Sequence, residues 1–153
     1  MQSIFVIRDA KLKDVEELMN FLTPFHDNGG YKDISINRDI AKKNLMAMFS
    51  SKMHHIWVVE KDGQICAALG VISTELWFSR RHYATNLFFC ANNKGKGSGG
   101  FLLRKFKAWC KERPIIRDVT LGVTSEIGDV ERIEKLYQAV GFKKLGGLFR
   151  LEA

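Results

Sequence analysis

The apolar positions of the chain follow strand spacing and helix spacing in turn. Residues 4–7 form a short apolar run, which is typical of a strand. The next apolar residues recur at three- and four-residue intervals, which predicts a helix, and they are Leu12, Val15, Leu18, Met19 and Leu22. Pro24 is expected to end this helix, because proline cannot donate the next backbone hydrogen bond. Residues 25–32 have turn chemistry, and a second, weaker helical stripe follows over residues 36–49.

The pattern after residue 50 predicts more strands than helices. Asp62-Gly63 is a two-residue turn signal, which indicates a hairpin between residues 56–60 and 65–78. The segments predicted after it are a turn at 79–82, a strand at 83–90, a helix at 102–110, a strand at 119–123, a helix at 130–140 that stops at Gly141, and a strand-like tail at 142–151. The order β-α-α-β-β-β-α-β-α-β predicts a mixed α/β fold.

Length and composition are those of an ordinary globular protein. The 153 residues, 46% of them hydrophobic, are expected to form one domain over residues 1–153. No apolar run reaches the ~18 residues of a membrane span, and residues 1–8 carry no secretory signal pattern. The cysteines Cys66, Cys90 and Cys110 are odd in number and lack CxxC spacing. This predicts no disulfide framework, no metal site and a cytoplasmic location.

The net charge of +7 lies in one segment of the chain. Residues 94–117 carry eight positive side chains and one negative, so the rest of the sequence sums to zero. Such a segment suits a nucleic acid, a membrane surface or a small polyanion, and it is also compatible with a solvated basic helix face.

Residues 94–100, Lys-Gly-Lys-Gly-Ser-Gly-Gly, lie between a predicted strand and a predicted helix and are called the glycine loop below. Glycines let backbone N–H groups turn toward a ligand, and the start of the following helix adds unpaired N–H groups and the positive end of its dipole. The loop is therefore a candidate phosphate site.

Two phosphate-binding motifs fit this loop poorly. Gly95-x-Gly97-x-x-Gly100 matches the dinucleotide fingerprint, but that motif normally follows the first strand, and only 53 residues remain here for further βαβ units. A Walker A loop is excluded, because no Gly-x-x-x-x-Gly-Lys-Ser/Thr occurs. A glycine-rich turn without a ligand stays open.

Two motifs in the right order resemble the GNAT superfamily of N-acetyltransferases. Lys94-x-x-Gly97-x-Gly99 is similar to the family's Arg/Gln-x-x-Gly-x-Gly/Ala, and residues 136–142 are similar to its Leu-Tyr-x-x-x-Gly-Phe. The opening strand and helix also look like the start of that family, so the resemblance covers essentially the whole chain. Lys94, Lys11 and Val130 depart from the family, standing where Arg or Gln, a Thr or Ser cap, and an Asn are common.

The resemblance implies a central, mostly antiparallel twisted sheet of six to seven strands with about four helices. It implies acetyl-CoA as acyl donor and an amine, on a small molecule or a protein, as acceptor. The coenzyme A contacts that it implies are Phe89, Cys90 and Ala91 for the thioester, and Lys94, Gly95, Lys96, Gly97, Ser98 and Gly99 for the phosphates. Lys94, Lys96, Arg104 and Lys105 are alternatives for the 3′-phosphate.

The resemblance also implies a direct attack by the amine, with Tyr137 as general acid for the departing thiolate. A tyrosine, with an ordinary pKa near ~10, is protonated at neutral pH. A core-packing tyrosine is the alternative. Glu75 is the first candidate for the base and Glu126 the second, whereas His82 is expected at the surface.

The acceptor site is expected at residues 25–28 with Tyr31 and at residues 77–83, although Trp77 and Phe78 also suit a core. Two other functions remain open. One is a basic nucleic-acid-binding module, disfavoured because Phe106 and Trp109 fall on a helical core stripe. The other is a coenzyme A-binding domain without catalysis. Exposed terminal strands also leave a homodimer open.

Overall fold

The computed structural model describes residues 4–123 and 129–151. Five strands form one sheet in chain order: β1 Val6–Asp9, β2 His54–Lys61, β3 Gln64–Glu75, β4 His82–Ala91 and β5 Ile116–Thr120. Strands β1 to β4 pair antiparallel, and β5 pairs parallel with β4. The helices are α1 Val15–Asp27, α2 Arg38–Ser50, α3 Gly99–Lys111 and α4 Val130–Ala139. The mixed α/β class and the mostly antiparallel sheet are thus confirmed.

The sheet separates two hydrophobic cores. Because successive residues of a strand point to opposite faces, Val58 packs with α1 and α2, whereas its neighbour Val59 packs with α3. Leu18 of α1 and Phe106 of α3 are fully buried on their respective faces. Helices α1 and α2 therefore cover one face of the sheet, and α3 and α4 cover the other.

The predicted hairpin is present, and its turn explains its sequence. Asp62 has φ 54° and Gly63 has φ 73°, so both central residues lie in the left-handed region. This is the geometry that a two-residue hairpin turn requires, and aspartate followed by glycine adopts it readily.

The prediction that Pro24 ends the first helix is wrong. Helix α1 runs on to Asp27 with Pro24 inside it. Proline removes one N–H donor, but its carbonyl still accepts, and the N–H of Asn28 donates to it at 3.1 Å. Residues 25–27 are therefore the last turn of a helix and not the start of a loop.

The prediction of six to seven strands is also wrong for the described part of the chain, which has five. The missing strand is the C-terminal tail, residues 142–151, which forms no regular structure. Leu145, Leu148, Phe149 and Leu151 are each at least 80% exposed. Alternation of apolar residues predicts a strand only if a neighbouring strand is available, and the adjacent Gly146 and Gly147 weaken the tendency further.

The start of the first helix is secured without the Thr or Ser cap that Lys11 replaces. The carboxylate of Asp14 accepts the backbone N–H of Lys11 at 2.7 Å and both terminal nitrogens of Arg8. The Arg8 guanidinium holds the pKa of Asp14 below its ordinary value. Asp14 thus caps the helix start and ties it to β1.

Candidate functional site

Strand β4 leaves its neighbour β5 halfway along its length. The two strands pair only over residues 82–85 of β4. On the β3 side, Val71 pairs with Asn86 and Gly70 with Phe88, so Leu87 is an extra residue that forms a bulge. From Asn86 onward, β4 has no strand partner on its β5 side among the described residues. We call the edge of β4 that is left unpaired on this side, from Asn86 to Ala91, the β4–β5 gap.

Backbone N–H groups of β4 face this gap. The N–H of Asn92 points toward β3, where it donates to the carbonyl of Cys66 at 3.0 Å. Directions alternate along an extended chain, so the N–H of Cys90 also points to β3. Those of Phe89 and Ala91 point to the gap, and two of the three predicted thioester contacts are thus oriented toward one opening.

Three residues hold the glycine loop against the sheet. The Asn92 side-chain oxygen accepts the N–H groups of Lys94 and Gly95 at 3.0 and 3.1 Å. A Cβ on Gly95 would lie 2.1 Å from the carbonyl oxygen of Cys66. Ser98 is fully buried, and its hydroxyl donates to the Gly95 carbonyl at 2.6 Å. The N–H groups of Lys94 and Gly95 are therefore occupied by the protein itself.

The other side of the loop is open. Gly97 has φ 90°, and a Cβ there would meet nothing within 4 Å. Its N–H has no hydrogen-bond partner among the described residues. Helix α3 begins two residues later at Gly99, and the first N–H groups of a helix have no acceptor within it. The free donors of the loop therefore lie around Gly97 and the start of α3.

The cationic side chains of the basic segment point to different places. Lys94 Nζ donates to the Gln64 side chain at 2.9 Å, while Arg104 and Lys105 line a groove between α3 and Ile7 of β1. The aromatic residues of the same basic segment are mostly unavailable, since Phe106 is 0% and Trp109 is 5% exposed. Neither ring is exposed for bases to stack on, which disfavours the alternative of a nucleic-acid-binding module.

Tyr137 lies beside the gap on the α3–α4 face. It is 8% exposed, its hydroxyl donates to the carbonyl of Gly122 at 2.8 Å, and its ring stacks on Phe89 with centroids 6.2 Å apart. Burial raises the pKa of Tyr137 to about 12, so it is protonated at neutral pH.

Gly99 brings the parts of the site together. A Cβ on Gly99 would lie 3.0 Å from the ring of Phe89 and 3.1 Å from the side chain of Leu136. The start of α3, the end of β4 and helix α4 therefore meet at this glycine. Of the predicted site residues, Phe89, Gly99 and Tyr137 are in one cluster.

Asn86 is a site residue that the sequence patterns do not reveal. Its side-chain oxygen accepts the N–H of Gly122 at 2.9 Å, and the carbonyl of the same glycine accepts the Tyr137 hydroxyl. Asn86 thus crosses the gap where the strand pairing ends. Its signal in the sequence is a lone amide within the apolar strand at 83–90.

Glu75, the first predicted base, does not lie beside Tyr137. Glu75 pairs with His82 at the opposite end of β4, roughly 14 Å along the strand from Asn86 at ~3.4 Å per residue. Its side chain is 49% exposed and lies 3.5 Å from Arg80. Glu126 lies outside the described residues. The expectation of a surface position for His82 is wrong, because it is 5% exposed and bonded to Ser73 Oγ at 2.8 Å.

The cysteines are not activated nucleophiles. Cys66, Cys90 and Cys110 are free thiols. Burial raises the pKa of Cys90 and of Cys110 to about 11, so both are neutral at physiological pH. In the described part of the chain, no three His, Cys, Asp or Glu side chains are grouped to hold a metal ion.

The hairpin between β3 and β4 presents aromatic residues to solvent. Trp77 is 94% exposed and Phe78 is 66% exposed, and the two rings contact each other edge to face. The core alternative for these two residues is therefore wrong. No described helix is long and apolar enough to cross a membrane.

Solved structures share this architecture over nearly the full chain. A possible acetyltransferase from Clostridium difficile 630 has a TM-score of 0.71 at 12% identity, covering 98% of each chain. An aminoglycoside 6′-N-acetyltransferase from Acinetobacter baumannii has a TM-score of 0.71 at 10% identity, again covering 98% of each chain. A predicted acetyltransferase from Clostridium acetobutylicum, solved with acetyl-CoA, has a TM-score of 0.73 at 15% identity, covering 97% of this chain and 96% of that one. No protein-family model matches the sequence, and no curated protein matches it.

These likenesses define the fold. The chain has the fold of the GNAT acetyltransferases, and the resemblance that the two motifs predicted is confirmed at that level. At identities of 10–15%, the structural similarity supports a shared fold but not a shared substrate.

Proposed function

We propose that this chain is an N-acetyltransferase that transfers the acetyl group of acetyl-CoA to a primary amine by direct attack. The observation that carries the proposal is the β4–β5 gap, with the open donors of the glycine loop at one end and Tyr137 beside it. A GNAT fold, with one structural neighbour solved with acetyl-CoA and another solved with CoA, supports the choice of donor.

The free N–H groups at Gly97 and the start of α3 bind the pyrophosphate of coenzyme A. Backbone donors and the helix dipole together suit a doubly charged anion. Lys96, the residue before Gly97, supplies positive charge for the remaining phosphate, whereas Arg104 and Lys105 face β1 and are not assigned to it. The N–H groups of Phe89 and Ala91 face the gap, where they bind the pantetheine arm and the thioester carbonyl.

The reaction needs one new bond and one broken bond. The amine nitrogen bonds to the carbonyl carbon, the carbon–sulfur bond breaks, and one proton moves from nitrogen to sulfur. Tyr137 gives its proton to the sulfur and recovers one from the nitrogen, so the products are an amide and a neutral thiol.

The pKa of Tyr137 decides how this transfer occurs. A thiol has a pKa near ~8.5, so full transfer from a phenol of pKa about 12 is uphill by roughly 5 kcal/mol. Donation and recovery of the proton must therefore be coupled, with no free phenolate. No separate base is assigned, and Glu75 remains a prediction without support from its position.

The acceptor class that we favour is a small molecule. Structural neighbours include aminoglycoside N-acetyltransferases, whose acceptors are small amines. A protein acceptor remains the alternative.

Acetyl-CoA should raise the melting temperature of the protein. A ligand at 100 times its Kd adds ~2.7 kcal/mol, which for a chain of this length corresponds to roughly 5–10 °C. Mass spectrometry of a panel of amines incubated with acetyl-CoA would then detect a product about 42 Da heavier than the amine, because an acetyl group replaces one hydrogen. No thermal shift at millimolar acetyl-CoA would contradict the donor, and a shift without product on any amine would favour a domain that binds coenzyme A without catalysis.

A further inference from the structure

A cleft of about 260 Å³ lies between α1, α2 and β4. Its walls are mainly apolar and include Met19, Leu22, Ala41, Leu45, Met48 and Phe88. It lies on the α1–α2 face of the sheet, whereas Tyr137 lies on the α3–α4 face.

The cleft and Tyr137 lie on opposite faces of the same stretch of β4. Phe88 lines the cleft, and the next residue, Phe89, stacks on Tyr137 from the other face. Both belong to the part of β4 that has no β5 partner, so the β4–β5 gap joins the two faces at this level. A group held in the cleft therefore reaches the thioester around the free edge of β4.

The position of Phe88 depends on a glycine in the neighbouring strand. A Cβ on Gly70 would lie 2.4 Å from the Phe88 ring, so the ring lies directly against the β3 backbone. This packing makes the floor of the cleft flat and aromatic. Such a floor suits an apolar chain or an aromatic ring better than a hydrated polar group.

The polar groups around the cleft do not suit a polycation. No carboxylate lines it among the described residues; His26 is its one titratable side chain, and Asn44 contributes a neutral amide. The hydroxyl of Thr23 is already engaged, since it donates to the Met19 carbonyl and accepts from Arg38. An acceptor with several ammonium groups would lose water here without gaining anionic partners.

We propose that this cleft binds the apolar body of a primary monoamine, such as an aryl-alkyl or alkyl amine, with the amino group directed into the β4–β5 gap. The volume exceeds the ~150 Å³ of an engineered apolar cavity that holds benzene, so it accommodates one ring and a short linker. This inference rests on the proposed function and specifies its acceptor.

Ala41→Phe tests the proposal, because Ala41 lines the cleft and a phenyl group there would fill it. Ala47→Phe is the matched control on the same helix, where the side chain is exposed. With phenethylamine as acceptor, we expect Ala41→Phe to raise KM at least tenfold and Ala47→Phe to leave it unchanged. With ethylamine, which is too short to fill the cleft, both variants should behave like the parent protein. The milder Ala41→Val should give a smaller rise in KM and serves if the phenylalanine variant does not fold.

Binding gives a second readout that does not need turnover. Calorimetric titration of phenethylamine into protein saturated with coenzyme A should show binding that Ala41→Phe weakens at least tenfold. Equal binding to both variants, or a higher kcat/KM for kanamycin than for phenethylamine, would overturn the cleft assignment and leave the acetyltransferase proposal intact. If no amine is acetylated and acetyl-CoA causes no thermal shift, the proposed function itself fails.

Discussion

The hydroxyl of Tyr137 is held by a carbonyl and not by another side chain, and this makes its role testable by removing one atom. Tyr137→Phe keeps the ring stacked on Phe89 and removes the donor to Gly122. If the hydroxyl acts only as the thioester breaks, we expect kcat to fall by ~10²–10⁴-fold with little change in the KM for acetyl-CoA.

Stability has to be measured on the same preparation, because the alternative role is packing. Losing the hydrogen bond should cost roughly 0.5–1.5 kcal/mol, because Gly122 is exposed and water can bond to its carbonyl instead. A variant with full turnover and only a lower melting temperature would assign Tyr137 to the core and leave the coenzyme A site unaffected.

Gly97 and Gly63 form a matched pair for testing the glycine loop. Both have positive φ, 90° and 73°, and a Cβ at either meets nothing within 4 Å. Replacement by valine should therefore destabilise the protein in either position by a similar ~1–3 kcal/mol of backbone strain. Only Gly97→Val should lose acetyl-CoA binding in a thermal-shift titration, because its side chain would fill the open space through which a phosphate approaches the free N–H groups of the loop. Equal affinities for the two variants would place the phosphates elsewhere.

Single residues of the site were predictable where they belong to a motif, and less so where they depend on distant partners. Gly97, Gly99 and Tyr137 belong to the two motifs that resemble the GNAT family. Asn86 does not, because its partner Gly122 is 36 residues away and is a backbone group. His82 was misplaced for the same reason, since β5 covers it only after the chain returns across α3.

At the level of elements, the glycine loop can pack against β3 only because Gly95 has no side chain. Gly95→Ala would place a Cβ 2.1 Å from a backbone oxygen, which cannot move without shifting the strand. We expect a loss of at least ~1–3 kcal/mol, or roughly 2–12 °C in melting temperature for a chain of this length. Gly146→Ala, where a Cβ meets nothing, should leave the melting temperature unchanged. If Gly95→Ala melts like the parent protein, the loop is not docked as described.

A helix or strand was predictable to the extent that residues within its own segment determine it. Helix α3 carries a clear stripe of buried residues, and its pattern alone indicates it. Helix α1 was predicted three residues too short, because Pro24 is a strong stop signal that its last turn overrides. The C-terminal tail has the alternation of a strand but no partner strand in the described sheet, and pairing is a property that no local pattern contains.

For the whole molecule, buried acidic groups predict a loss of stability at alkaline pH. Burial raises the pKa of Cys110 from 9.0 to about 11, so the folded state keeps a proton that the unfolded state releases. The contribution of the protonated Cys110 thiol to the free energy of unfolding is complete below pH ~9. It is lost as the pH rises toward ~11, and its upper bound is near 2.7 kcal/mol. When urea unfolding is measured from pH 8.5 to 11, a range of ~2.5 units, the free energy of unfolding should therefore fall as the pH rises. Cys90 and Tyr137 act in the same direction, Tyr137 at higher pH.

Cys110→Ala provides the comparison for this titration. Near neutral pH the variant should be less stable because it leaves a small cavity, but its free energy of unfolding should fall less steeply as the pH rises over the same range. The difference in slope removes the contribution of lysines, which titrate in both proteins. Parallel slopes would show that the Cys110 thiol ionises as easily in the folded protein as in the unfolded chain.

The strands lie in the sheet in the same order as in the chain. A ribosome that synthesises the chain from its N-terminus therefore delivers each strand from β2 onward beside one that already exists, and none has to be inserted between two others. Strand β5 arrives last, because its parallel pairing with β4 requires the whole of α3 to be made first. A nascent chain thus has a four-stranded antiparallel sheet before it has the opening in which we place the chemistry.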